Sequence, residues 1–116
     1  MMQDLVMYKR MPIWTAETMP EAVQRKHNTK VGTWGKITVL TGELKFIEMT
    51  EDGEELAEHI FKAGEDNLYA QPQAWHRVEA LTDDLEWYLE FYCLPKDYYA
   101  KKYGLTPVHS EVLEAT

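Results

Sequence analysis

The sequence contains one cysteine, Cys93, so no disulfide can form within the chain. This excludes a disulfide-stapled scaffold and fits a reducing, cytoplasmic setting. No run approaches the roughly 20 apolar residues that a bilayer-spanning helix needs. The segment Met1 to Arg10 also lacks the apolar core of a signal peptide. Positive charge is scarce: 12 Lys and Arg face 20 Asp and Glu, a formal net charge of −8. With no concentrated basic stretch, duplex nucleic acid is excluded as a partner. So negative a chain repels small anions at long range, and any oxyanion site must reverse the sign locally. There is no Gly-x-Gly-x-x-Gly, no phosphate-cradling glycine loop, no Gly-x-Ser-x-Gly and no Cys-x-x-Cys.

What is present is aromatic and strand-like. The 116 residues include 4 Trp, 7 Tyr and 3 Phe, enough for one domain with its own core. Thr18 and Glu21 have capping-box spacing and predict a short helix over 19–26. From Gly32 to Leu94 the pattern is of consecutive strands: Gly35 to Leu40, Leu44 to Met49, Leu56 to Phe61, Leu68 to Ala70, Trp75 to Leu81 and Leu85 to Cys93. Asp52-Gly53 marks a hairpin that sets Phe46 opposite His59 and Met49 opposite Leu56. The turn Thr82-Asp83-Asp84 predicts a second hairpin. Many short strands with regular turns indicate an all-β sandwich or barrel. Pro95 opens a different region, with helical patterns over 97–103 and 108–115 and Gly104 at a stop position. We therefore divide the chain into a β domain, 1–94, and a helical tail, 95–116.

Two residues draw the chemistry. His76 follows Pro72-Gln73-Ala74-Trp75, and Glu90 sits within the aromatic run Trp87-Tyr88-Leu89-Glu90-Phe91-Tyr92. A carboxylate in such a strand is costly to bury without a partner. With a three-residue turn, Leu81 pairs with Leu85 and His76 falls opposite Glu90, Cβ atoms about 5 Å apart. A shift of one residue puts them on opposite faces. In the first register they form a hydrogen-bonded pair or two ligands of one metal ion. Tyr88 and Tyr92 share the face of Glu90 and would line a pocket, with Trp75 at its mouth and Arg77, Lys30 and Lys36 as cationic helpers. Glu79 reads as a surface group. His59 and His109 complete no site, and Cys93 reads as a small apolar residue ending a buried strand.

The strand pattern, with Pro72 to His76 as its second motif, resembles a cupin, a double-stranded β-helix or jelly-roll barrel. His27-Asn28-Thr29 and Gly42 resemble a reduced first cupin motif. At a finer level, His27-Asn28-Thr29-Lys30-Val31-Gly32-Thr33-Trp34-Gly35-Lys36, Val39-Leu40-Thr41-Gly42 and Pro72-Gln73-Ala74-Trp75-His76-Arg77-Val78-Glu79-Ala80-Leu81 resemble the N-terminal domain of the tellurite-resistance protein B family. Asp97 to Gly104 and His109 to Ala115 are similar to the start of the methyltransferase domain that follows it there. The resemblance implies His27, His76 and Glu90 as ligands of a divalent metal, with zinc, iron, manganese and nickel all compatible. It implies no S-adenosylmethionine site within this chain, since no glycine-rich cofactor loop appears.

Three readings follow. The first is a tellurite-resistance accessory domain that holds a metal and a small oxyanion such as tellurite. The second is a metal-free module for dimerisation or for docking on a methyltransferase. The third is a small metal-dependent cupin enzyme. A homodimer is expected under the first two, and no membrane is expected under any.

Overall fold

The structure, a computed structural model, describes residues 5–102; the side chains of residues 100 and 101 are not described. Eight strands and two short helices follow one another as β1 (Val6–Arg10), β2 (Trp14–Thr15), α1 (Glu21–Arg25), β3 (Trp34–Thr41), β4 (Glu43–Met49), β5 (Glu55–Lys62), β6 (Tyr69–Ala70), β7 (Trp75–Ala80), β8 (Glu86–Cys93) and α2 (Pro95–Lys102). The fold is all-β, as its β-branched and aromatic runs dictate. The predicted helix 108–115, Gly104 and His109 lie outside the described residues.

Two antiparallel sheets pack face to face. One runs β1-β8-β3-β6 with β2 added on β8; the other runs β5-β4-β7. Alternation along each strand sets the core. Gly35, Ile37 and Val39 of β3, with Trp87 and Leu89 of β8, face Leu44 and Phe46 of β4, Phe61 of β5 and Val78 of β7. Met19 and Val23 close one flank, with α1 beside β7.

Three expectations are corrected. The sheets do not close into a barrel. The β6 edge is two residues long and ends before Pro72, which has no N–H for a ladder, and contact there shrinks to the isolated bridges His27–His76 and Thr29–Pro72. Next, Trp75 to Cys93 is not a hairpin: β7 pairs with β4 in one sheet, while β8 pairs with β1, β2 and β3 in the other. The connection 81–85 changes sheets beside the β3–β4 corner, which also changes sheets. Leu81 N–H donates to the Glu43 carbonyl at 3.0 Å, and Glu43 N–H to Thr82 Oγ1 at 3.1 Å. Gly42 makes that crossing feasible, since it adopts φ +77° and any Cβ would lie 2.9 Å from the Leu85 Cα. Finally, Thr18 does not cap α1. Its hydroxyl accepts the Thr15 N–H at 2.8 Å, and Pro20 takes the N-cap position.

The predicted β4–β5 register holds at Phe46–His59, but a bulge shifts Met49 to Glu55 instead of Leu56. Strand β1 was not anticipated. It pairs with β8, 80 or more positions away in sequence.

Candidate functional site

Five of the expected residues divide between the two sides of the β8 sheet, Tyr88, Glu90 and Tyr92 on the outside and His27 and His76 on the inside. Trp87, Leu89 and Phe91 point inward from β8, so Tyr88, Glu90 and Tyr92 point outward. Glu90 is only 7% exposed there, and its carboxylate is satisfied locally. Arg10 on the neighbouring β1 donates from Nε at 2.9 Å and from Nη2 at 2.6 Å to Glu90 Oε2. Tyr92 donates its hydroxyl to Oε1 at 3.4 Å. The Arg10 guanidinium also lies over the Tyr88 ring, 4.8 Å from its centroid. Burial, then the Glu90 charge, pushes the Tyr92 phenol up from its ordinary value.

His76 lies between the sheets. It is also 7% exposed, with its ring stacked on Phe46 at 5.1 Å. Its strand partner is Glu48 on β4, not Glu90. The loop before β3 brings His27 alongside: the two residues exchange backbone hydrogen bonds of 2.8 Å in both directions, and their rings sit 5.4 Å apart at 64°. Burial first, then the neighbouring His27, pushes His76 down to about 4. At neutral pH it is uncharged. Its Nδ1–H donates to the Ala74 carbonyl at 3.2 Å, which leaves Nε2 as an acceptor. Burial also lowers His27, whose buried Nδ1 has no hydrogen-bond partner among the described residues.

The structure thus brings His27 and His76 together and places Glu90 on the far side of a sheet, held by Arg10. Neutral imidazoles suit a divalent ion, and the orphaned His27 Nδ1 fits a ligand role. Yet among the described residues no three His, Cys, Asp or Glu side chains converge on a point where a metal could sit.

Two clefts open on either side of this pair. An aromatic cleft of about 560 Å³ runs over Phe46, Glu48, Tyr69, Trp75 and His76. A second cleft, about 300 Å³, is lined by Tyr8, Lys9, His27, Asn28, Thr29, Lys30, Thr33 and Phe91. A void of about 10 Å³ touches the first at Ala70 and His76 and the second at His27 and Thr29.

The clefts differ in charge. The second holds two lysines and no carboxylate, and neither Lys9 nor Lys30 forms an ion pair among the described residues. Elsewhere the expected cationic helpers are engaged. Lys36 is bound to Asp66 Oδ1 at 2.9 Å and to the Asn67 carbonyl. Arg77 is held between Glu55 and Glu79 on the outside of the other sheet. Glu79, read as a surface group, belongs to that ion-pair network with Arg77 and Lys45. Sequence reasoning singled out Lys30 and His27 but missed Tyr8 and Lys9. The short apolar run Val6-Met7-Tyr8 was the available signal for β1, though nothing local ties it to the His27 loop.

Among the described residues no helix is long and apolar enough to cross a membrane. Against known proteins, residues 9–89 match the sequence model of the TehB-like domain, and residues 91–116 match that of the tellurite resistance protein TehB. The chain is 56% identical over 115 residues to a probable S-adenosyl-L-methionine-dependent methyltransferase TehB of Haemophilus influenzae. That match covers 99% of this chain and 40% of the relative, so the chain spans about two fifths of its length. The crystal structure of TehB from Haemophilus influenzae superposes with a TM-score of 0.83 at 57% identity, covering 96% of this chain and 39% of that one. A crystal structure from Escherichia coli strain K12 shares the fold, with a TM-score of 0.74 at 24% identity over 82% of this chain and 96% of its own. By the match over 9–89, this chain belongs to the TehB-like domain family.

Proposed function

We propose that this domain captures a small oxyanion, tellurite in the setting its family name implies, in the cationic cleft between β1 and the loop before β3. The observation that carries the reading is the local reversal of charge: two lysines without ion-pair partners and no acid line this cleft, in a chain of net charge −8. The long-range field of such a protein repels anions, so an anion that settles here is held by short-range contacts. Lys9 and Lys30 supply charge, Asn28 an amide donor, and the hydrogen-bonded Tyr8–Thr33 hydroxyl pair one remaining O–H. His27 lies on the same wall, where a bound anion would favour its protonated form.

Capture would serve a methyltransferase segment joined to this domain, as in the Haemophilus relative. Tethering a binding site to a catalytic one raises the local concentration of what it carries, without any new contact to the catalytic centre.

The test is equilibrium dialysis against sodium tellurite with tellurium counted by mass spectrometry. The wild-type chain should retain tellurium saturably. The Lys9→Gln/Lys30→Gln variant should bind roughly tenfold less or weaker, since each lost charge-assisted contact removes on the order of 1 kcal/mol. Equal retention by both proteins, or none by the wild type, would reject the reading.

A second reading has one observation in its favour. The unpartnered Nδ1 of His27 beside a neutral His76 fits two ligands of a divalent ion, which would add positive charge next to the oxyanion cleft. Elemental analysis of wild type, His27→Ala and His76→Ala decides it: near-stoichiometric metal lost in both variants supports the ion, and metal-free wild type after reconstitution removes it.

A further inference from the structure

We propose that the aromatic cleft is a separate ligand site, and that it takes a small organic cation: a protonated amine carrying an apolar or aromatic body. The charged groups of the cleft favour a cation. The cleft's one lysine, Lys36, has its ammonium bound to Asp66 and the Asn67 carbonyl and placed over the Tyr69 ring at 4.8 Å. That cation is neutralised from within the protein. What remains is two acceptors side by side. Glu48 and His76 are direct partners across β4 and β7, so their side chains share a face with Cβ atoms about 5 Å apart.

Each acceptor has free capacity. His76 uses Nδ1–H on the Ala74 carbonyl, which leaves the Nε2 lone pair. Glu48 Oε2 is met by His59 Nε2 at 2.5 Å, and Oε1 makes no hydrogen bond among the described residues. The rings of Phe46, Tyr69 and Trp75 supply much of the remaining wall, with Asp66, Asn67 and Gln71 as its other polar members. An ammonium can donate to both acceptors while its body lies against the rings, where aromatic faces add attraction for a cation. An anion would meet the Glu48 carboxylate directly, and the one cation of the cleft, Lys36, is already paired with Asp66. The cleft, about 560 Å³, falls within the size range of small-molecule sites.

The test is a pair of amide NMR titrations on the full 116-residue chain at constant ionic strength, with phenethylamine and with phenylacetate. These differ in charge but little in shape. Phenethylamine should shift amides of β4 and β7 around Glu48 and His76 saturably, and phenylacetate should bind there roughly tenfold more weakly or worse. Glu48→Gln, which keeps the shape, should weaken phenethylamine by a similar factor while leaving the spectrum folded. Lys9→Gln/Lys30→Gln should leave it unchanged, so this proposal and the oxyanion reading can fail separately. Equal binding of the two probes, no saturable shift in the cleft, or full binding by Glu48→Gln would overturn the proposal. So would zinc chloride shifting the His76 and His59 resonances when phenethylamine does not.

Discussion

His76 and Glu90 are buried to the same 7% exposure, yet the two faces of the sandwich treat them in opposite ways. Between the sheets, among Phe46, Val78, Trp87 and Leu89, burial drives His76 to its neutral form, and its one N–H is spent on a backbone carbonyl. On the outer face, Glu90 stays paired with a guanidinium whose own side chain is 56% exposed, and the tyrosines on either side roof the pair. Equal exposure therefore does not mean equal chemistry. The inner face discards charge and keeps a lone pair; the outer face keeps charge and surrounds it with donors.

The largest expected effect tests the inner face. Phe46 stacks on both His76 and Phe61 at 3% exposure. Phe46→Ala should cost about 3–5 kcal/mol by urea unfolding, the range for a large aromatic lost from a packed core. A cost under about 1 kcal/mol would mean that this end of the sandwich is not packed as described.

The next effect depends on pH. Because His76 is lowered from 6.5 to about 4 in the folded protein, the unfolded chain binds more protons in that interval. Stability should be unaffected by this group above about pH 6.5, fall as pH drops toward 4, and level off below, with a total on the order of 3 kcal/mol. His27, also lowered by burial, acts in the same direction. Unfolding curves between pH 4 and 7.5 should be visibly flatter for His76→Phe than for wild type. Parallel curves would place a charged imidazole inside and erase the contrast between the faces.

The smallest effect belongs to the outer face. Arg10→Met leaves the Glu90 carboxylate without its guanidinium and should lower the thermal midpoint by less than Phe46→Ala does. Adding Glu90→Gln should recover part of the loss, because the unpaired charge is gone. If the double variant is worse than the sum of the single ones, the pair is not what sustains Glu90.

Local chemistry made much of the fold legible. β3 and β4 lie within one residue of their expected limits because β-branched runs end at Gly42, and the Asp52-Gly53 turn set Phe46 against His59. The helix after Pro95 was also readable. What could not be read was which sheet a strand joins. The turn at 82–84 looks like a hairpin turn, and long-range contacts carry the chain across to the other sheet: the close approach of Gly42 to Leu85 and the hydrogen bonds of Glu43 with Leu81 and Thr82. That one crossing separates His76 from Glu90. It also explains why Lys9 escaped notice: its strand gains its place from β8, a partner at a sequence distance that no local pattern encodes.

The most direct test of the account is an amide NMR titration of the wild-type chain with sodium tellurite at neutral pH and low salt. Saturable shifts are expected, confined to Tyr8, Lys9 and the segment from His27 to Thr33 and weakening as salt is raised. Shifts centred on the aromatic cleft or on the Arg10–Glu90 face, or none at saturating tellurite, would contradict the account.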